Sequence, residues 1–169
     1  MVGKRAQKFP ETVKYVYQNG HELGNHTWDH YTLIGKSCSF IRKQINATDK
    51  LFRQLGYTGT IHFRSPKGMK FLALPKVLTE KKRTNILFNF VAWDWNQPGT
   101  KKIVDKIINN VKPGSIILLH DGDGDNNDVI TCRSQTVEAT EIIINRLKEL
   151  GYSFATISEL LSMVKNKCD

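Results

Sequence analysis

Apolar residues recur at helical spacing in six segments of the chain, and glycine, proline or capping residues separate these segments. The first predicted helix begins near Pro10 and ends near Gly20, because proline suits a first helical turn and glycine suits a C-terminal stop. A longer helix is predicted from a cap at Ser37 or Ser39 to Gly56. The remaining predicted helices span residues 71–82, follow a cap at Thr100, span residues 135–150 and follow a cap at Ser158.

Short apolar runs lie between the predicted helices. Two of them, at residues 86–93 and 115–119, are almost continuously apolar, and further candidate strands lie at 21–24, 60–64 and 152–156. A continuously apolar strand is typical of a parallel sheet that helices cover on both faces. The alternation of strands and helices therefore predicts an α/β fold, in a single domain that spans residues 1–169.

Polar side chains follow four of the predicted strands. His26 and His30 follow the first, Arg64 the second, Asp94 the third and His120 the fourth. In a parallel α/β fold the chemistry lies in the loops at the carboxyl ends of the strands. The pattern therefore predicts one active site, built from these four loops.

The spacing of His26 and His30 is a possible metal signal. The two residues stand four positions apart in a chain that has only five histidines. On a helical turn this spacing brings two imidazoles close enough to share a metal ion. Two polar surface histidines can have the same spacing, so the pair alone does not separate the two interpretations.

The composition excludes several other classes of protein. Hydrophobic residues make up 40% and charged residues 24% of the chain, as in ordinary globular proteins. No segment approaches the roughly 20 apolar residues of a membrane span, and no apolar stretch follows the basic N-terminus as in a signal peptide. The net charge is +9, but the basic residues are scattered and no nucleic-acid motif accompanies them. A solvated basic surface is therefore the favoured interpretation, and the compartment stays unknown.

Two further residue patterns predict no site. Cys38, Cys132 and Cys168 are widely spaced and form no Cys-x2-Cys pair, so neither a thiolate metal site nor a disulfide framework is expected. The acidic stretch at residues 121–128 lacks the terminal glutamate and the glycine placement of an EF-hand. We interpret it as a solvated loop.

Four short motifs follow one another in a specific order. They are His-Thr-Trp-Asp-His at 26–30, Arg-Ser-Pro-Lys-Gly at 64–68, Asp-Trp at 94–95 and Leu-Leu-His-Asp at 118–121. Together they resemble the His-Thr/Ser-x-x-His, Arg-x-Pro-x-Gly, Asp-Trp and Leu-x-His motifs of the polysaccharide deacetylase family, the NodB-homology domain of carbohydrate esterase family 4. The resemblance covers essentially the whole chain. It implies a distorted (β/α)7 barrel.

The resemblance also implies an activity. Family members remove N-acetyl groups from N-acetylglucosamine polymers, so peptidoglycan, chitin or a chitooligosaccharide would be the substrate and acetate a product. The same kind of site can cleave O-acetyl esters, as in acetylxylan esterases, and that alternative stays open. An N-acetylated glycan is therefore the expected partner, with neither nucleic acid nor a membrane span.

The same resemblance implies a role for each matched residue. His26 and His30 would be two ligands of a divalent metal, most often zinc. His120 would be the general acid that protonates the leaving amine, and Asp94 would orient and tune it. Arg64 corresponds to the arginine that forms an ion pair with the family's catalytic aspartate.

Three further matched residues would face the substrate. The backbone N–H of Lys67 corresponds to the oxyanion donor of the family. Trp95 and Leu118 would line the pocket for the acetyl methyl group, although each could instead belong to the core.

The chain departs from the family at its N-terminal end. The family begins with a strand that ends in Thr-Phe-Asp-Asp, whose first aspartate is the general base and whose second is a metal ligand. This chain contains no Asp-Asp pair, and residues 2–4 already resemble a later segment. We therefore expect a fragment with an incomplete barrel, no third protein ligand for the metal and no activity by itself.

Two alternatives follow from this departure. Asp29 is a conceivable substitute for the missing metal ligand, although it occupies a variable position of the motif. A non-catalytic remnant that at most binds glycan or metal weakly is the alternative to an enzyme. An in-frame Thr-Phe-Asp-Asp segment upstream of Met1 would distinguish the two.

Overall fold

The computed structural model describes residues 1–69, 72–122 and 132–165 of the 169-residue chain. The chain divides into two compact units, one of Met1–Leu87 with Thr156–Asp169 and one of Phe88–Ala155. The prediction that residues 1–169 form one domain stays a prediction.

The secondary structure is mostly helical, with short strands between the helices. In chain order, the described residues form α1 (Gly3–Lys8), α2 (Pro10–Gln18), β1 (Gly24–Asn25), α3 (Cys38–Gln54), β2 (His62–Phe63), α4 (Ala73–Glu80), β3 (Phe90–Val91), α5 (Thr100–Ile108), β4 (Ile117–Leu118), α6 (Ser134–Glu149) and α7 (Ile157–Lys165), with 3-10 turns at Pro66–Gly68 and Asp94–Asn96. Helices α2 to α7 overlap the six predicted helices, whereas α1 was not predicted.

The strands form two parallel pairs, one in each unit. In the first unit β1 pairs with β2, with Gly24 opposite His62. In the second unit β3 pairs with β4, with Phe90 opposite Ile117. Parallel pairing confirms the predicted α/β class.

The predicted strands at 86–93 and 115–119 are too long, and no strand forms over residues 152–156. Residues at 115–119 are also partly exposed, so the expected burial on both faces is wrong. A strand extends only as far as a neighbour pairs with it, and apolar periodicity carries no information about that neighbour.

Helix α3 shows why the helical prediction succeeded. The Ser37 side chain accepts a hydrogen bond from the Phe40 N–H at 3.2 Å and so caps the first turn. Ile41, Ile45 and Phe52 follow at spacings of four and seven residues and are fully buried. One apolar stripe therefore faces the core, as the pattern predicted.

Two predicted caps are wrong. Gly99, not Thr100, precedes the first residue of α5, and the Thr100 hydroxyl donates to Glu138. Thr156, not Ser158, caps α7 in a reciprocal arrangement: its hydroxyl accepts from the Glu159 N–H, and the Glu159 carboxylate accepts from the Thr156 N–H. A capping box places the cap three residues before the acidic partner, which the sequence reasoning overlooked.

Each unit has its own hydrophobic core. The first unit holds two clusters of buried residues, one of Leu33, Ile41, Ile45, Phe63, Leu74, Val77 and Leu78, and one of Ala6, Val13, Leu23, Phe52, Tyr57 and Ile61. The second unit holds Ala92, Ile103, Val104, Ile107, Ala139, Ile143 and Leu147. These clusters anchor the strand ends from which the candidate site residues project.

Two further sequence predictions concern membranes and cysteines. None of the helices in the described part of the chain is long and apolar enough to cross a membrane. Cys38 and Cys132 are free thiols. Cys168 and most of the acidic stretch at 121–128 lie outside the described residues.

Candidate functional site

The imidazoles of His26 and His30 meet in the first unit, directly after β1. Their Nε2 atoms are 3.1 Å apart and their ring centroids 4.7 Å apart. The segment is a loop rather than the predicted helical turn, and Thr27 and His30 both have left-handed backbone conformations, with φ of 66° and 62°. The predicted juxtaposition is therefore present, but the loop creates it.

Hydrogen bonds hold this loop in its unusual conformation. The buried Asn25 side chain accepts from the Thr27 N–H at 2.9 Å and donates to the Ile45 carbonyl of α3 at 2.8 Å. The Thr27 hydroxyl in turn accepts from the His30 N–H at 3.1 Å. The backbone at Thr27 and His30 is thereby tied to Asn25 of β1, which is itself bound to α3.

The protonation of His26 follows from its surroundings. Its Nδ1 lies 2.7 Å from the carbonyl oxygen of Arg64, which can only accept, so Nδ1 carries the proton. Burial lowers the pKa of His26 to about 3, because desolvation disfavours the charged imidazole. His26 is therefore neutral near pH 7, with the lone pair of Nε2 directed toward His30.

This arrangement fits a divalent metal ion. Zinc binds neutral imidazole at about 2.0–2.1 Å, and two nitrogens in a tetrahedral site lie about 3.4 Å apart. The 3.1 Å between the Nε2 atoms of His26 and His30 is close to that separation. Among the described residues, however, no group of three or more His, Cys, Asp or Glu side chains converges on one point.

Both carboxylate oxygens of Asp29 are bound by other side chains. Its Oδ1 forms an ion pair with Lys4 Nζ at 2.8 Å, and its Oδ2 accepts from Gln44 Nε2 at 2.9 Å. Burial alone would raise the pKa of Asp29, but the hydrogen bonds from Lys4 and Gln44 lower it. Asp29 therefore anchors the loop, which argues against a role as the substitute metal ligand.

Arg64 and Lys67 follow β2 in the same unit. The Arg64 guanidinium donates from Nε to the Ile86 carbonyl at 3.0 Å and from Nη2 to the Leu87 carbonyl at 3.4 Å, and burial lowers its pKa. Lys67 lies in the 3-10 turn with a φ of 57°. The left-handed backbone conformation of Lys67 changes the direction of the backbone amides in this Pro-x-Gly turn. The role of the Lys67 N–H as oxyanion donor stays a prediction.

Asp94 and His120 form a hydrogen-bonded pair in the second unit. His120 donates from Nδ1 to Asp94 Oδ1 at 2.9 Å and from its backbone N–H to Asp94 Oδ2 at 2.7 Å. Asp94 is fully buried, whereas the His120 side chain is one-third exposed. Burial alone would raise the pKa of Asp94, but the hydrogen bonds from His120 outweigh it and lower that pKa. The structure therefore brings these two predicted residues together, and their catalytic roles stay predictions.

Aromatic rings surround this pair. Trp95 packs edge-on against the His120 ring, with centroids 4.9 Å apart, and Trp93 packs against Trp95 at 4.9 Å. Trp95 and Leu118 are both partly exposed. Neither is plain core, which leaves their proposed contact with the acetyl group as a prediction.

Sequence reasoning missed two residues that support these centres. The Thr136 hydroxyl at the start of α6 donates to Asp94 Oδ2 at 3.3 Å, and both groups are buried. Gln44 of α3 binds the loop at Trp28 and Asp29. The Arg-Ser-Gln-Thr run at 133–136 resembles the family, so it offered a signal for Thr136. Nothing in the sequence marked Gln44.

Each unit therefore holds its own set of predicted residues. The first holds His26, His30, Arg64 and Lys67, and the second holds Asp94, Trp95, Leu118 and His120. The prediction that all four loops form a single active site stays a prediction.

The chain is similar to known proteins over nearly its whole length. Residues 1–86 match the family described as Polysaccharide deacetylase. The chain is 37% identical to a peptidoglycan-N-acetylglucosamine deacetylase of Bacillus cereus, over 95% of this chain and 73% of that protein. It is 29% identical to a chitooligosaccharide deacetylase of Azorhizobium caulinodans, over 90% of this chain and 75% of that protein.

The fold also matches solved structures. The structure of the peptidoglycan deacetylase PdaC from Bacillus subtilis superposes with a TM-score of 0.84 at 28% identity, over 98% of this chain and 76% of that one. This likeness confirms the predicted NodB-like α/β class. On the motifs, the family match and the relatives together, the chain belongs to the polysaccharide deacetylase family of hydrolases.

Proposed function

We propose that the protein is a metal-dependent hydrolase that removes N-acetyl groups from N-acetylglucosamine polysaccharide and releases acetate. The observation that carries the proposal is the buried Asp94 that holds the His120 imidazole through Nδ1. Relatives that are named for activity on peptidoglycan and on chitooligosaccharide support this class of substrate.

His120 is the general acid in this proposal. Hydrolysis of an N-acetyl group adds water to the carbonyl carbon, breaks the C–N bond and needs a proton for the leaving amine. Asp94 accepts a hydrogen bond from the Nδ1–H of His120 and so holds the imidazole in place, and Nε2 then delivers its own proton to the amine nitrogen. The partial exposure of the His120 side chain leaves access for a substrate.

His26 and His30 would hold the metal ion. When bound, zinc lowers the pKa of its water and polarises the substrate carbonyl. The neutral His26 imidazole supports this role, because only a free lone pair can bind a cation. The Lys67 N–H would stabilise the oxyanion, and Trp95 and Leu118 would enclose the acetyl methyl group.

Residues 1–169 alone are inactive in this proposal. The family places its general base and a metal ligand on adjacent aspartates, and the chain has no Asp-Asp pair. Arg64, which corresponds to the partner of the catalytic aspartate, would act only when that aspartate is present.

Acetate release provides the test. The 169-residue chain and a chain extended by the in-frame codons upstream of Met1 are incubated with zinc and chitopentaose, and acetate and the mass of the oligosaccharide are measured. We expect release only from a chain that carries a Thr-Phe-Asp-Asp segment. Robust zinc-dependent release from the 169 residues would show that another group supplies the base.

Two alternatives predict different results. A non-catalytic remnant would release no acetate in either form, even if it bound zinc or glycan weakly. An O-acetyl esterase would deacetylate acetylated xylan and leave chitopentaose and peptidoglycan unchanged. Product analysis on the three substrates therefore separates the alternatives.

A further inference from the structure

We propose that Gln44 is a positioning residue that holds the loop of the two candidate metal ligands in its binding geometry. The inference rests on the proposed function, because it assumes that His26 and His30 bind the metal. Gln44 lies on α3, outside the four motifs, and is only 5% exposed.

One amide oxygen of Gln44 satisfies two backbone donors of the loop. Its Oε1 accepts from the Trp28 N–H at 2.8 Å and from the Asp29 N–H at 2.9 Å. These are the two residues between Thr27 and His30, the loop positions with left-handed backbone. Because the loop is neither helix nor strand, it has no regular pattern of backbone hydrogen bonds to hold these amides.

The amide nitrogen of Gln44 completes the anchor. Its Nε2 donates to Asp29 Oδ2 at 2.9 Å, and Asp29 Oδ1 forms its ion pair with Lys4 of α1. The side chain at position 44 therefore has to supply one hydrogen-bond acceptor and one hydrogen-bond donor. Glutamine supplies both at this length, whereas a glutamate would place a second carboxylate against Asp29.

The loop needs such an anchor because its backbone is strained. Left-handed conformations of Thr27 and His30 persist only when surrounding contacts hold them in place. Relaxation of either residue would rotate the imidazoles and change the 3.1 Å between their Nε2 atoms. Gln44 therefore acts on the metal through the geometry of His26 and His30 and not by direct contact.

Zinc affinity and amide exchange test the proposal together. The affinity of the 169-residue chain for Zn²⁺ is measured by competition with a chromophoric chelator, and the exchange of the Trp28 and Asp29 amides is measured without metal. For Gln44→Met we expect about 10- to 100-fold weaker zinc binding, the range for residues that orient metal ligands. We also expect at least about tenfold faster exchange of both amides, because their shared acceptor is lost.

Three control variants sharpen the test. Gln54→Met changes the same residue type at an exposed position of α3 and should leave both quantities unchanged. Gln44→Glu keeps the acceptor for both amides but places a second carboxylate against Asp29, so the two amides should exchange more slowly than in Gln44→Met. Ile41→Val loosens the core along the same helix and should lower thermal stability without weakening zinc binding.

Each result decides the proposal. Wild-type exchange of both amides in Gln44→Met would overturn it, as would equally weakened zinc binding in Ile41→Val. If the wild-type chain does not bind zinc, His26 and His30 do not hold the metal without the aspartate that the family supplies. The exchange rates then decide alone whether Gln44 holds the loop.

Discussion

Both candidate centres hold an imidazole through its Nδ1 atom, but they use different acceptors. In the first unit His26 meets the neutral backbone carbonyl of Arg64 at 2.7 Å. In the second unit His120 meets the buried carboxylate of Asp94 at 2.9 Å. The same residue type is therefore prepared for different chemistry by the charge of its partner.

The difference in acceptor decides which form of the imidazole is useful. A carbonyl fixes the tautomer without adding a negative charge, and burial keeps His26 neutral, so it presents a lone pair. A carboxylate partner orients an imidazole for proton transfer, which is the role proposed for His120. In the proposed function, the partner of Nδ1 therefore distinguishes the metal ligand from the proton donor.

The two centres share one backbone feature. Among the described residues, six non-glycine residues have positive φ, and five of them lie in the motif segments or within two residues of them: Thr27, His30, Lys67, Trp93 and Gln97, with Lys82 as the exception. Such conformations cost energy and persist where the surrounding structure maintains them. Their clustering supports a functional role for both centres.

The largest expected effect comes from removing the proton donor. In a form of the protein that releases acetate, His120→Ala should lower turnover about 10²- to 10⁴-fold, the usual contribution of a general acid, with zinc affinity unchanged. Steady-state rates and zinc titrations check this, with the exposed His21→Ala as control. Loss of zinc affinity together with loss of turnover would place His120 among the metal ligands instead.

Removing a metal ligand should lower the zinc affinity, which His120→Ala should leave unchanged. His26→Ala should weaken zinc binding by more than about 100-fold, beyond the range for residues that only orient ligands. The contacts of Asp94 with His120 lie in the other unit and should be unchanged in NMR spectra. Zinc affinity equal to that of the wild type would show that the metal does not bind at His26.

Acidification should act on the first centre before the second. The pKa of His26 is about 3 when folded and about 6.5 when unfolded, so between these values only the unfolded chain binds the proton. The contribution of neutral His26 to the free energy of unfolding should therefore be fully present above pH 6.5. Between pH 6.5 and pH 3 this contribution should fall by about 1.4 kcal/mol for each unit by which the pH decreases. Urea unfolding of the metal-free chain and of His26→Gln tests this, and identical slopes would contradict it.

The second centre should lose stability at lower pH. The pKa of Asp94 is lowered in the folded chain, so its contribution is present above the unfolded value near 4 and is lost as the pH falls further. Urea unfolding from pH 5 to 2.5 should therefore show a shallower decline in Asp94→Asn than in the wild type. A decline of equal slope in both proteins would exclude this role of Asp94.

The smallest expected effect concerns the third partner of Asp94. Thr136→Val removes a buried hydroxyl that donates to Asp94 Oδ2, while both hydrogen bonds from His120 remain. We expect a loss of about 1 kcal/mol in the free energy of unfolding. Thr140→Val, which removes a hydroxyl bonded only to the backbone of α6, should cost less. A larger loss in Thr140→Val would count against a role of Thr136 at Asp94.

Local patterns predicted the helices well and the strands poorly. Helix α3 lies within its predicted bounds, because a cap at Ser37 and an apolar stripe are properties of one segment. The strand predicted at 86–93 forms only at Phe90–Val91, because that strand depends on pairing with β4, which is distant in sequence. The His-x3-His spacing likewise predicted the meeting of two imidazoles but not the loop that produces it.

The sequence by itself determined the order of the four motifs, the six predicted helices and the identity of the residues that could carry the chemistry. Only the tertiary structure decided what each residue contacts. His26 meets the carbonyl of a residue 38 positions away, and Asp94 meets a histidine 26 positions away. It also decided that Asp29 binds Lys4 and Gln44, so that it anchors the loop. The physical reason is that protonation and ligand strength depend on burial and on distant hydrogen-bond partners, which folding alone brings together.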